Sequence, residues 1–121
     1  MAKPSNRHIG NEAEDLACSF LANKGWEILE RNFYFEHAEI DIIAKDQNVL
    51  VFLEVKMRSS LRYGRPEEFV TDIKVEKVFK AIEAWLYQHQ IVDKPVRFDV
   101  IGIIKPKNEP PRITHLVDAF R

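Results

Sequence analysis

A single cysteine, Cys18, stands in a chain of 121 residues, so neither an intramolecular disulfide nor a cysteine-rich zinc site can be built. No stretch is apolar and long enough to span a membrane, and the opening MAKPSNRHIGNE lacks the apolar core of a secretory signal. A reducing cytoplasm is therefore the expected compartment, with no membrane partner. Basic charge is not in surplus either: the formal net charge of −1 argues against non-specific coating of nucleic acid. It leaves room for a local basic surface balanced by carboxylates elsewhere. Repeats, low-complexity tracts and internal linkers are also missing.

What remains is an ordinary globular composition, 45% hydrophobic and 31% charged, at a length that fits one domain with its own core. Residues 1–9 are polar, contain Pro4, and are expected to be a loose N-terminus ahead of a single domain over 10–121. NEAEDLACSFLANK, residues 11–24, places Ala13, Leu16, Ala17, Phe20 and Leu21 at helical spacing and is closed by Gly25. Strands are expected at WEILERNFYF, AEIDIIAK and VLVFLEVKM, the last two joined through Asp46-Gln47-Asn48. SSLRYGRP reads as a loop. A long helix follows over about 71–90, with Ile73, Val78, Phe79, Ile82, Trp85 and Leu86 as its buried stripe. VRFDVIGII and, after the proline-rich KPKNEPP, RITHLVDAF complete the order α-β-β-β-α-β-β, an α/β domain.

The hairpin carries the chemistry. With Gln47-Asn48 as a two-residue turn, Asp41 falls opposite Glu54 and Glu39 opposite Lys56, with β-carbons roughly 4.5–5.5 Å apart in a direct pair. Glu54 and Lys56 share a face whatever the register. Ile40, Ile42, Val51, Leu53 and Val55 make one face wholly apolar, leaving the charges on the other with Ile43, Leu50 and Phe52. Burying ionised groups is costly unless they are paired or hold a metal. Two readings meet this pattern: cross-strand salt bridges, or two carboxylates sharing a Mg²⁺ with a lysine beside them. On the first helix Glu14 lies in the arc that faces the sheet, with Ala17, Cys18 and Leu21, whereas Glu12 and Asp15 point away. It is either a third ligand or an acid near a helix N-terminus.

Asp41 followed by Glu54-Val55-Lys56 resembles the PD-(D/E)xK nuclease signature. A wider pattern is more specific. Gly10-x-x-Ala13-Glu14-x-x-Ala17, Gly25-Trp26-x-Ile28-Leu29-x-Arg31-Asn32, Glu39-Ile40-Asp41-x-Ile43 and Val51-Phe52-x-Glu54-Val55-Lys56-x-Arg58 resemble the YraN family of small bacterial proteins. Tyr63-Gly64-x-Pro66, Lys74, Ala81 and Arg97-Phe98-Asp99-Val100 extend the likeness over about residues 8–120. The resemblance implies a restriction-endonuclease-like fold, a central mixed β-sheet flanked by helices, related to Holliday-junction resolvases. It implies metal ligands at Glu14, Asp41 and Glu54, one or two Mg²⁺ or Mn²⁺ ions, and Lys56 as the base-like catalytic residue. Alanine replaces the family's usual glycine at Ala13 and Ala38; at Ala38 that is unwelcome if the backbone needs positive φ.

Nucleic acid is then the expected partner, with Arg58, Arg62, Tyr63, Arg65 and Lys74 as the residues expected to touch it. The arginines and lysine would meet phosphates and Tyr63 would stack on a base. Lys77 and Lys80 continue the basic side of the helix, although Glu67, Glu68, Asp72 and Glu76 intersperse. Cys18, Trp26 and Trp85 read as packing residues, Arg97 and Asp99 as pointing away from the core and paired with neighbours, and the four histidines show no ligand spacing. The leading expectation is a metal-dependent endonuclease acting on branched or nicked duplex DNA, with a homodimer implied by the resemblance alone. The alternatives are a catalytically silent nucleic-acid-binding module and an interaction scaffold of the same fold.

Overall fold

The computed structural model describes residues 4–60, 62, 65, 68 and 73–120, with side chains from residue 12 onward. Its elements are α1 (Pro4–Asn23), β1 (Glu27–Phe35), β2 (Ala38–Asp46), β3 (Val49–Arg58), α2 (Val75–Gln88), β4 (Val96–Ile104) and β5 (Arg112–Leu116). This is the expected order, and it forms the restriction-endonuclease-like arrangement of a mixed sheet between helices. α1 begins at Pro4 rather than Asn11, so the backbone expected to be loose is helical there. Proline suits the first turn, where its missing N–H has no partner to lose.

Each helix end follows from local chemistry. Gly25 takes φ +89°, and the Gly25 and Trp26 amides donate to Ala22 O at 2.9 Å and Leu21 O at 3.1 Å. That is the two-bond stop glycine favours. α2 closes the same way through Gln90 and Ile91, with Gln90 at φ +54°.

The sheet order is β1-β2-β3-β4-β5. β1, β2 and β3 run as an antiparallel meander, β4 pairs parallel with β3, and β5 returns antiparallel to β4. The parallel step requires a crossover, which α2 supplies. Both faces are covered. Phe33, Ile40, Ile43, Leu50, Phe52, Phe98 and Val100 pack under α2 with Val78, Ala81, Ile82 and Trp85. Ile42, Ala44, Val51, Leu53, Ile101 and Ile103 pack under α1 with Ala13, Ala17 and Leu21.

The expected face assignment is corrected at Ile40. Simple alternation groups it with Ile42, yet it lies in the α2 cluster with Ile43. Strand alternation slips by one residue between them, opposite Asn32, which sits at φ +57° and interrupts the β1–β2 ladder between Arg31↔Ile42 and Phe33↔Ile40. Asn is among the few residues that accept this conformation readily. Ala38 is not among the positive-φ residues; Glu36, two residues earlier, is, at φ +55°. The glycine-to-alanine departure at Ala38 is therefore accommodated without strain.

Candidate functional site

The slip at Asn32 and Asp41 builds the site. The β2–β3 register is the expected one, running from Asp46↔Val49 to Ile42↔Leu53. The ladder then stops one pair short of Asp41 and Glu54. Instead of pairing through its backbone, Asp41 turns its carboxylate to accept the Val55 N–H at 2.7 Å. Glu39 and Asp41 consequently face α1, where Glu14 meets them, rather than the Phe52 side to which simple alternation assigns them.

Glu14 is only 7% exposed, as its inward position on the helix requires. One carboxylate oxygen from each of Glu14, Glu39 and Asp41 lies within 4.8 Å of the others. Asn32 ties the cluster together: its Nδ2 donates to Glu14 Oε2 at 2.8 Å and to Glu39 Oε2 at 3.0 Å. Arg31 braces the outer side, with Nη2 3.3 Å from Glu14 Oε1 and Nη1 2.9 Å from Asp15 Oδ1. Glu12, expected to point away, instead ion-pairs with Lys105 beyond the end of β4.

Asp41 feels this crowding most. Burial pushes its carboxyl up to about 8, and the charges of Glu39, Glu54 and Glu14 push the same way against the opposing Val55 hydrogen bond. Glu54 is thus an electrostatic neighbour of Asp41 but lies outside the group of three oxygens within 4.8 Å. It pairs with Lys56, Nζ to Oε2 3.6 Å, and both side chains are mostly buried. So the structure gathers Glu14 and Asp41 as anticipated, adds Glu39, and holds the Glu54–Lys56 pair alongside.

The residues expected to touch nucleic acid are less concentrated. Arg58 closes β3, donates to Met57 O at 3.0 Å, and lines a cleft of about 510 Å³ that also holds Lys105 and Lys107. Arg62 and Arg65 are exposed. Tyr63 lies outside the described residues. Lys74 is exposed at the start of α2, and Lys77 and Lys80 face the β1–β2 turn across a small cavity of about 90 Å³.

Away from the carboxylates, Asp99 corrects another expectation: it is fully buried rather than turned away from the core. Arg97 donates to it twice, at 2.8 and 2.9 Å, and His115 Nε2 and the Asp118 N–H donate at 2.7 and 2.9 Å. Lys24 Nζ lies 2.9 Å from His115 Nδ1. A lysine ammonium can only donate, so Nδ1 accepts and Nε2 carries the proton directed at Asp99. Burial raises the Asp99 carboxyl, but the bonds from His115, Arg97 and Asp118 outweigh it and hold it below the usual range. Trp26 packs edge-on against His115, and Trp85 is buried with its Nε1 donating to Glu30 at 2.8 Å. Both tryptophans are packing residues, as expected. Cys18 is half-buried against the α1 core, and burial pushes its thiol up, away from reactivity.

Residue pattern alone puts Glu39 on the hairpin without giving it a ligand role, and it does not single out Asn32 as a cluster residue. The available signal is asparagine inside an otherwise good strand, ERNFYF, where a residue tolerant of left-handed backbone marks an irregularity.

Residues 13–103 match the family described as "Uncharacterised protein family UPF0102". A UPF0102 protein of Geotalea daltonii is 43% identical over 118 residues, covering 98% of this chain and 93% of its own. A Flavobacterium psychrophilum relative is 43% identical, covering 93% of this chain and 92% of its own, and one from a Nocardioides species is 40% identical over 108 residues, covering 89% of this chain and 87% of its own. The matched span contains Glu14, Asn32, Glu39, Asp41, Glu54 and Lys56, and on these matches the chain belongs to the UPF0102 family, the YraN family its motifs resemble.

Proposed function

We propose that this protein is a metal-dependent nuclease that hydrolyses phosphodiester bonds in DNA. The observation that carries the reading is the carboxylate cluster: oxygens of Glu14, Glu39 and Asp41 lie within 4.8 Å of one another, and burial together with this crowding pushes the Asp41 carboxyl up to about 8. Salt bridges alone do not account for it, since the nearby cations Arg31 and Lys56 pair with Glu14, Asp15 and Glu54. A divalent cation would relieve the crowding. The donor set consists of carboxylate oxygens, which suits Mg²⁺ or Mn²⁺ rather than a soft metal.

Asp41, Glu14 and Glu39 would hold the ion, with Glu54 bordering it on the β3 side. Bound there, the cation would polarise a phosphoryl oxygen and lower the pKa of a water. The chain's own groups do the rest. Lys56, held by Glu54, offers a fixed positive charge to the phosphate as negative charge builds on it, and orients the attacking water. Asn32 and Arg31 keep Glu14 and Glu39 in position. Arg58, Lys105 and Lys107 line the neighbouring cleft and would take flanking phosphates.

The test is cleavage of labelled branched, nicked, flapped and linear DNA with Mn²⁺ or Mg²⁺, beside Glu54→Ala and Lys56→Ala. Metal-dependent cutting by the wild type, lost in both variants while the far-ultraviolet spectrum is unchanged, is the expected result. Binding without cutting would instead make the chain a silent nucleic-acid module. Neither binding nor cutting with either metal would end the nuclease reading.

A further inference from the structure

Tyr34 lies at the rim of the carboxylate cluster and is 66% exposed. It pairs in register with Glu39, so the two side chains share the face of the sheet that carries the cluster. β1 is an outer strand, with β2 as its one neighbour in the sheet. The ring therefore stands beside Glu39 with its flank open to solvent.

Other exposed aromatic side chains are placed differently. Tyr87 sits near the C-terminal end of α2, and Phe79 packs edge-on against Phe120 at 5.7 Å. Among the described residues, Tyr34 is the exposed aromatic that touches the candidate site.

We propose that Tyr34 is a stacking platform for an unpaired nucleobase beside the scissile phosphate, so that the site acts on single-stranded or frayed DNA in preference to intact duplex. This rests on the nuclease reading and narrows its substrate. The physical reason is geometric. Within a duplex each base is covered on both faces by its neighbours, so a protein ring can stack only on a base that is already unpaired or has been flipped out. Stacking one base on one aromatic side chain is worth roughly 5- to 150-fold in binding. The preference requires no hydrogen bond to a base edge and so is tolerant of sequence. It also fits a chain without surplus positive charge, in which phosphate contacts alone would give little affinity.

The experiment uses a single-stranded oligonucleotide carrying 2-aminopurine, read by fluorescence in Ca²⁺. Cleavage kinetics in Mn²⁺ are measured on forked and fully paired DNA with the wild type, Tyr34→Phe and Tyr34→Ala. The wild type should quench the probe. Tyr34→Phe, which keeps the ring and removes only the hydroxyl, should retain the quenching, and Tyr34→Ala should lose it. On forked DNA, KM should rise about 5- to 150-fold further in Tyr34→Ala than in Tyr34→Phe. Equal quenching and KM in the alanine variant, with a cutting wild type, would overturn the stacking role and leave the nuclease reading intact. Tyr34-dependent quenching without cutting by the wild type would keep the stacking role and end the hydrolytic one. A wild type that neither quenches nor cuts overturns both.

Discussion

Asp41→Asn separates a metal site from an ordinary polar cluster without any knowledge of substrate. In the metal-free protein the Asp41 carboxyl is raised from 3.8 to about 8. Between those values the folded chain keeps a proton that the unfolded chain has released. Stability therefore falls as pH rises, and the loss levels off above about pH 8. A tenfold difference in proton affinity between the folded and unfolded chains corresponds to about 1.4 kcal/mol. Discounted for the residual solvent around the carboxylate, the window amounts to about 3–5 kcal/mol. That is a large share of the roughly 5–15 kcal/mol by which domains are stable. In urea, with a slope of about 1–3 kcal/mol per molar, it would move the midpoint by roughly 1–5 M between pH 4 and 9. The assay is urea unfolding followed by tryptophan fluorescence across that range, with chelator or with millimolar Mn²⁺. Wild type with chelator should weaken steeply with pH, Asp41→Asn should stay nearly level, and Mn²⁺ should flatten the wild type because the bound ion favours the ionised carboxylate. A wild-type slope that neither Asn nor Mn²⁺ alters would refute the reasoning.

Two further changes test the scaffold. Asn32→Gly keeps the left-handed backbone and removes both amide bonds, whereas Asn32→Ala also strains the backbone by about 1–2 kcal/mol. Both should weaken Mn²⁺ binding by roughly 10- to 100-fold in titration calorimetry. Only the alanine variant should unfold appreciably earlier; equal stabilities would show that the break in the β1–β2 ladder does not need Asn32's conformation. Asp99→Ala leaves Arg97 and His115 without their shared acceptor and should cost about 3–5 kcal/mol in chemical denaturation. Because the folded Asp99 carboxyl lies below its ordinary 3.8, its contribution is complete above that value and is lost as pH falls through the lower folded value. Acid titration below about pH 4 should therefore weaken the wild type more than the variant, and parallel curves would contradict the network.

Much of this molecule is legible from residue pattern because the governing signals are local. The Gly25 stop, the Gln47-Asn48 turn and the inward Glu14 each depend on a few adjacent residues, and the structure repeats them. Ile40 shows where locality ends. Period-two alternation assumes an unbroken strand, and one left-handed residue on the neighbouring strand moves Ile40 to the other core and turns Asp41 toward α1. The same event recruits Glu39. The charged residues are identifiable, but the face on which they meet is decided by a β1–β2 irregularity that hydrophobic spacing in β2 alone does not register.

Asp99 and Tyr34 fail to read for a complementary reason. Asp99 is a lone acid between Phe98 and Val100 in a strand covered on both faces, so alternation offers no solvent side for it to occupy. Its burial becomes tolerable only through Arg97, His115 and Asp118, the last two contributed by β5 and the turn after it, sixteen and nineteen residues away. Tyr34 looks like an edge-strand aromatic until the register sets Glu39 opposite it. In both cases the meaning of the side chain lies in a partner brought by topology. The same topology puts Tyr34 and Asp99 at different places on the sheet, so loss of the ring should alter substrate recognition without the stability loss that follows loss of the buried acid. Measuring both variants in one denaturation and one binding assay would expose any coupling that this separation forbids.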